Sequence, residues 1–359
     1  MVFHCRCFSF DEEEHIEYEF ESQTQTKSTS TQTYYTASES KIGEGRHGSV
    51  YKGLVKSLAH PFDKIEVVVK YAKGVKKEHK EWLAEVNFLG VIEHPDLVKL
   101  VRYCVENHER GMQLLLVYEY MPNKSVKDHL SIGSEPPLSW TMRLKVARDA
   151  ARGLSYLHEG MDFQILFRDF NSSRLLLDDQ WNAKLSDLMV ARIVSQEGDT
   201  DEFVGSVAYA APEYISTGQV SSKSDVWSYG VFLYELITGR HPLDRNRPLK
   251  EQNLLEWVRP YVHSQNLQPI IDPRLKGMCS LKSAEALTII AELCLKRDRK
   301  SRPKMSEVLE RVNGVIWVLS QITTYVPVYE SSMPVISRPK PLKFWFRKVC
   351  CCACIESGK

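Results

Sequence analysis

Asp169 is the first residue in this chain whose setting suggests chemistry. It sits in Phe167-Arg168-Asp169-Phe170, directly after the apolar run Ile165-Leu166-Phe167. Such a run reads as a short strand, and an Asp held on the loop that follows can take a proton from a substrate hydroxyl. Asp187 repeats the arrangement after Ala183-Lys184-Leu185. Either carboxylate alone is a surface group by default; two of them, each delivered by a strand, point to a cleft. Upstream, Gly43-x-Gly45-x-x-Gly48-x-Val50 lies between two strand-like runs. Glycines let the backbone approach phosphates and turn N–H groups toward them. The loop opens no helix, which argues against a dinucleotide-binding unit, and by itself it reads equally as a plain glycine hairpin. Lys70 closes the run Val67-Val68-Val69-Lys70, and Glu85 lies fifteen residues on in a helical stretch. Glycine loop, strand lysine and helix glutamate in that order make a stronger pattern than any member alone.

The elements that must position these groups can be read from periodicity. Residues 42–53 and 64–73 are strand-like, the second rich in Val. A helix is expected near 77–91, with Trp82, Val86 and Leu89 on one face and Glu85 beside it. LVKLVRYCVE and QLLLVYEYM read as two further strands. After Pro122 helices dominate, over 140–157, 222–238, 283–296 and 304–320. A mostly β half before a mostly α half predicts an α+β fold of two lobes with a cleft between them. The 359 residues and 43% apolar content suffice for a sizeable core. A net charge of +1 argues against bulk nucleic-acid binding. No apolar run reaches the ~18 residues of a membrane span, and the N-terminus lacks a secretory pattern. Of nine cysteines, only Cys104, Cys279 and Cys294 fall in the body of the chain, so reduced thiols in an intracellular protein are expected.

Downstream come Ala211-Pro212-Glu213, SDVWSYGVFLYELITG with Asp225, and Arg302 in Ser301-Arg302-Pro303. In this order the set resembles the eukaryotic protein kinases over roughly residues 41–320. HKEWLAEVNFLG, HPDLVKLVRYC, LLVYEYMPN, YAAPEY and KSDVWSYGVFLYELITGR look like one group within them, the plant receptor-like cytoplasmic kinases of the immune-signalling subfamily. The resemblance implies a two-lobed kinase fold, with an N-lobe over 41–121 and a C-lobe over 122–324. It implies ATP and Mg²⁺ as cofactors, Ser/Thr as acceptors, and receptor kinases or other signalling proteins as partners. It implies that Gly43, Gly45 and Gly48 cover the phosphates and that Lys70, paired with Glu85, holds them. Val50, Val68 and Leu176 would enclose the adenine, Glu119 and Met121 would offer it backbone after Tyr118, and Asp169 would accept the hydroxyl proton. Asp187 would bind Mg²⁺, and Asp225 with the Glu213–Arg302 pair would brace the C-lobe.

Several positions depart from the family pattern. Asn171 stands where the family carries Lys, and Arg174 where it carries the metal-ligating Asn. Arg offers donors only. Two unit charges ~4 Å apart repel by about 4 kcal/mol at an effective dielectric of ~20, and a divalent ion doubles that. Asp-Phe-Gly is replaced by Asp187-Leu188-Met189: Leu188 keeps the apolar plug, while Met189 removes the residue that tolerates unusual backbone angles. A lost switch and a mis-aimed Asp187 are the expectation. Val68 in place of Ala is expected to crowd the adenine. Phe167 remains apolar. Thr200-Asp201-Glu202 puts an acidic pair where the family is phosphorylated; pairing with Arg168 and simple drift account for it equally. Lost catalytic residues on intact bracing predict a pseudokinase scaffold. The alternative is an active Ser/Thr kinase with unusual metal use, Asp187 holding a single Mg²⁺ and Arg174 neutralising phosphate.

The two ends read differently. Residues 1–40 are acidic, then Ser/Thr-rich, with little to bury, and read as a disordered tail. Residues 325–359 interleave Lys and Arg with Phe344-Trp345-Phe346 before Cys350, Cys351, Cys352 and Cys354. That combination suits S-acylation at the inner face of the plasma membrane. The alternatives are a metal site or free thiols; without a nearby His the cluster suits tetrahedral zinc poorly. Cys5 and Cys7 form a second candidate patch, and Val2 excludes N-myristoylation.

Overall fold

The computed structural model describes residues 41–45, 48–56, 64–73, 76–108, 111–131, 133, 136–194 and 202–324. The expectations for the two ends, including all six terminal cysteines, lie outside the described residues.

A five-stranded antiparallel sheet forms the first half. Its strands are β1 (Lys41–Gly45), β2 (Gly48–Lys56), β3 (Lys64–Lys73), β4 (Leu100–His108) and β5 (Gly111–Glu119), in the order β1-β2-β3-β5-β4. Side chains alternate between faces along a strand, and β3 and β5 use both. Val67, Val69, Leu115 and Val117 pack on one face with Val55 and Cys104. Val68, Leu114, Leu116 and Tyr118 point to the other, where α1 (Lys76–Leu89) lays Trp82 and Val86. Lys70 shares the Val68 face, so the strand period alone aims its ammonium under α1.

The second half is helical: α2 (Val126–Leu130), α3 (Trp140–Glu159), α4 (Pro212–Thr217), α5 (Ser222–Thr238), α6 (Leu254–His263), α7 (Leu281–Cys294) and α8 (Met305–Thr324). Two ribbons, β6 (Ile165–Leu166) with β9 (Arg192–Ile193) and β7 (Leu175–Leu177) with β8 (Ala183–Leu185), lie on it beneath the sheet-side cluster. α5 is buried on nearly every side, and it can approach α7 closely because Gly230 presents no Cβ; one placed there would meet the Cys294 Cβ at 2.8 Å. α6 was not expected. Pro260 inside it reads as a helix breaker, yet Asn253 caps its start by accepting the Glu256 N–H at 3.2 Å. Cys279 and Cys294 are free thiols.

Candidate active site

The loop after β6 is held from below by α5. The buried Asp225 carboxylate accepts the N–H groups of Phe167 and Arg168, both at 2.8 Å, and lies 2.8 Å from His158 Nε2. Those bonds stabilise Arg168 at φ 69°, a region a long side chain rarely adopts, and so aim the next residue, Asp169, into the cleft. Two residues on, Asn171 caps a 3-10 turn (residues 172–174) by accepting the Ser173 N–H at 3.0 Å. That turn brings Arg174 back over Asp169.

From there a line of alternating charges crosses the cleft. Glu85 Oε2 lies 3.5 Å from Lys70 Nζ, which lies 2.8 Å from Asp187 Oδ1. The other Asp187 oxygen meets Arg174 Nη1. Arg174 Nη2 donates to Asp169 Oδ2 at 2.9 Å. Three carboxylates and two cations leave the line at −1. Asp169 Oδ1 accepts the Ser206 N–H at 3.1 Å and Asn171 Nδ2 at 3.0 Å. Both Asp169 oxygens are therefore engaged by the chain itself, and an incoming hydroxyl must displace one of these donors before Asp169 can accept its proton.

A family profile described as protein kinase domain matches residues 36–312. The chain is 58% identical over 280 residues to the serine/threonine-protein kinase PCRK2 of Arabidopsis thaliana, an alignment covering 77% of this chain and 67% of that protein. PCRK1 of the same plant matches to the same extent. The serine/threonine-protein kinase PBL35, also from Arabidopsis thaliana, is 48% identical over 282 residues, which is 56% of its own length. The chain belongs to the protein kinase family. Within it, these relatives are the plant receptor-like cytoplasmic kinases that the sequence resembled.

As a kinase cleft it is unusual at the metal. The donor set does not fit a divalent ion: position 174 offers only N–H groups, one Asp187 oxygen is taken by Lys70 and the other by Arg174. A divalent ion would have to enter against a guanidinium that already bridges both carboxylates. The positions expected to enclose a nucleotide keep apolar surroundings. Met121 is buried with Leu116 and Tyr118, and Val68 and Leu176 pack against that cluster. Val68 lies opposite Tyr118 in the β3–β5 register and is half-buried. Glu119 is fixed by its side chain, which accepts the Lys99 N–H at 2.8 Å and Lys184 Nζ at 2.8 Å. Gly45 and Gly48 pair across the β1–β2 hairpin, Gly48 at φ 122°. Val50 stands opposite Lys70.

The expectation for Met189 is corrected in one respect. The positive φ in this loop, 65°, falls on Asp187 and not on Met189, so losing the glycine strains nothing at 189. Asp187 faces Lys70, whose ammonium lies 2.8 Å from its Oδ1. Met189 instead packs with Trp82, Val86 and Tyr118 on the sheet side, while Leu188 enters the helical core. The Leu188 N–H donates to Glu85 Oε1 at 3.1 Å, which ties the loop to α1. Burial first, then the Glu85 charge, push the pKa of the Tyr118 phenol well up.

Arg168 reaches the later segment through the Glu202 carbonyl at 3.0 Å and the Tyr214 hydroxyl at 3.1 Å. Thr200 and Asp201 lie outside the described residues. Glu213 and Arg302 meet in a two-pronged pair at 2.5 and 2.8 Å. Three contributors escaped sequence reasoning: Asn171 as a cap on Asp169, the Ser206 N–H, and Gly205. Gly205 has φ +102°, and a Cβ there would sit 2.7 Å from Asp169 Oδ1. Only the first left a signal, since Asn before Ser-Ser is a cap-forming stretch.

Proposed function

We propose that this protein is a kinase-like signalling scaffold whose transfer of phosphate from ATP to serine or threonine is impaired. The observation that carries the reading is the Arg174 guanidinium bound to both Asp169 and Asp187. It sits where the family sequence carries a metal-ligating amide, and it neutralises the two carboxylates from within. Asn171 replaces the lysine that steadies the transferred phosphate in the family. The bracing groups remain, which supports a role through binding surfaces rather than turnover. In this reading Gly43, Gly45, Gly48 and Lys70 form a phosphate cradle, Glu85 orients Lys70, and the lobes divide at about residue 121. Receptor kinases or other signalling proteins are the proposed partners. Acylated Cys5, Cys7, Cys350, Cys351, Cys352 and Cys354 would hold the chain in the cytoplasm at the inner face of the plasma membrane; mass measurement on the native protein tests this. Among the described residues no helix is long and apolar enough to cross a membrane.

The decisive assay is label transfer from γ-labelled ATP with Mg²⁺ or Mn²⁺, to the protein itself and to a generic Ser/Thr substrate. The expected result is no transfer above that of Asp169→Asn. Robust transfer that Asp169→Asn abolishes overturns the proposal. A second reading, an active kinase with unusual metal use, draws on the retained Lys70–Glu85 contact at 3.5 Å and the cleft-facing Asp187. It requires a faster rate in Arg174→Asn and metal-dependent stabilisation by nucleotide; absence of both removes it.

A further inference from the structure

Beside the Asp169 loop lie two adjoining cavities of about 350 and 370 Å³ that share Lys127 and His241 in their walls. The first also takes Arg174, Ser172 and Tyr209, and the second Arg240 and Arg247. Every carboxylate facing this groove is already matched. Asp169 is held by Arg174, and Asp244 by Arg247 Nε at 3.1 Å. Glu235 is fully buried beneath the floor, where it accepts the Ser172 hydroxyl at 2.9 Å and the Tyr209 phenol at 2.5 Å. Burial lifts its pKa to about 7, so it contributes only part of a charge near neutrality. Lys127 is different. It is exposed on α2, and no described carboxylate pairs with its ammonium, whose field reaches both Glu235 and His241. Arg174 adds unused donors: a guanidinium has five N–H groups, and Asp169 and Asp187 engage three, one each on Nε, Nη2 and Nη1.

We propose that this groove binds an extended peptide through a phosphorylated serine or threonine. The chemistry discriminates in an unusual direction. A free hydroxyl finds both Asp169 oxygens taken, so it gains little. A phosphate dianion meets Lys127 and the spare Arg174 donors in charge-assisted hydrogen bonds, about twice as strong as neutral ones. The inference rests on the non-transferring reading of the cleft.

The test uses the full chain and a short fluorescein-labelled Gly/Ala peptide carrying one phosphoserine, with its unphosphorylated twin, read by fluorescence anisotropy. The phosphopeptide is expected to bind about tenfold or more tighter than its twin. Lys127→Glu, an exposed site that leaves the fold intact, is expected to erase most of that preference, and Lys127→Met part of it. Inorganic phosphate is expected to compete only at far higher concentration than unlabelled phosphopeptide. Equal binding of the two peptides overturns the proposal. So does a preference that survives Lys127→Glu, or displacement by phosphate as efficient as by phosphopeptide. Label transfer to the unphosphorylated twin is measured in parallel and bears on the scaffold reading. Equal binding of the two peptides by the wild-type chain, with no transfer, therefore sinks this inference alone.

Discussion

Glu235 offers the sharpest test of how the groove is built. Its carboxylate is buried under the junction of the Asp169 loop, the Tyr209 segment and α5. Burial raises its pKa from 4.5 to about 7, against the lowering effect of the Tyr209 and Ser172 donors and of the nearby Lys127 charge. A group whose pKa is raised by folding is bound to more protons in the folded chain. Its stabilising effect is complete below about 4.5 and is lost as the pH rises to about 7. At ~1.36 kcal/mol per pH unit, that interval is worth roughly 3 kcal/mol. For a domain of this size 1 kcal/mol moves Tm by about 2–4 °C, so the effect is roughly 6–12 °C. Glu235→Gln keeps an acceptor for Ser172 and cannot ionise. Thermal unfolding followed by dye fluorescence between about pH 5 and pH 8 should therefore show a wild-type Tm that falls relative to the variant as pH rises. A Tm difference that stays constant, or that grows in favour of wild type with pH, refutes the assignment.

Two further perturbations follow from the same geometry. Gly205→Ala forces a side chain into φ +102° and within 2.7 Å of Asp169 Oδ1; a loss of about 1–3 kcal/mol in urea unfolding is expected, and unchanged stability would show that the Ser206–Asp169 contact is not constrained as described. Met189→Gly empties a buried site in the sheet-side cluster and should cost about 2–5 kcal/mol, with faster amide exchange in α1; a stabilised protein would mean that Met189 does not join the loop to the sheet.

Much of this architecture was legible because it depends on period and punctuation. The alternation in Val67-Val68-Val69-Lys70 already divides the strand between two faces, and the structure uses both. Glycines at 43, 45 and 48 announced the hairpin. The long helices after Pro122 were read from the sequence, while the short α2 and α4 were not, nor was α6, where Pro260 masked a helix that Asn253 starts. The site was legible as a set of residue types and not as a set of contacts. Arg174 was recognisable as wrong for a metal, but its capture of two carboxylates depends on the turn that Asn171 caps. Nor does sequence say which residue of Asp187-Leu188-Met189 takes the positive φ. That choice follows from the tie between Leu188 and Glu85, residues far apart in the chain.

The account turns on whether Arg174 has taken the metal's place, and calorimetric titration of ATP with and without Mg²⁺ asks this directly. Wild type is predicted to bind ATP with an affinity that Mg²⁺ leaves unchanged. Arg174→Asn, with the two carboxylates released, is predicted to bind at least tenfold more tightly when Mg²⁺ is present. Wild type that tightens with Mg²⁺ as much as the variant would contradict the account.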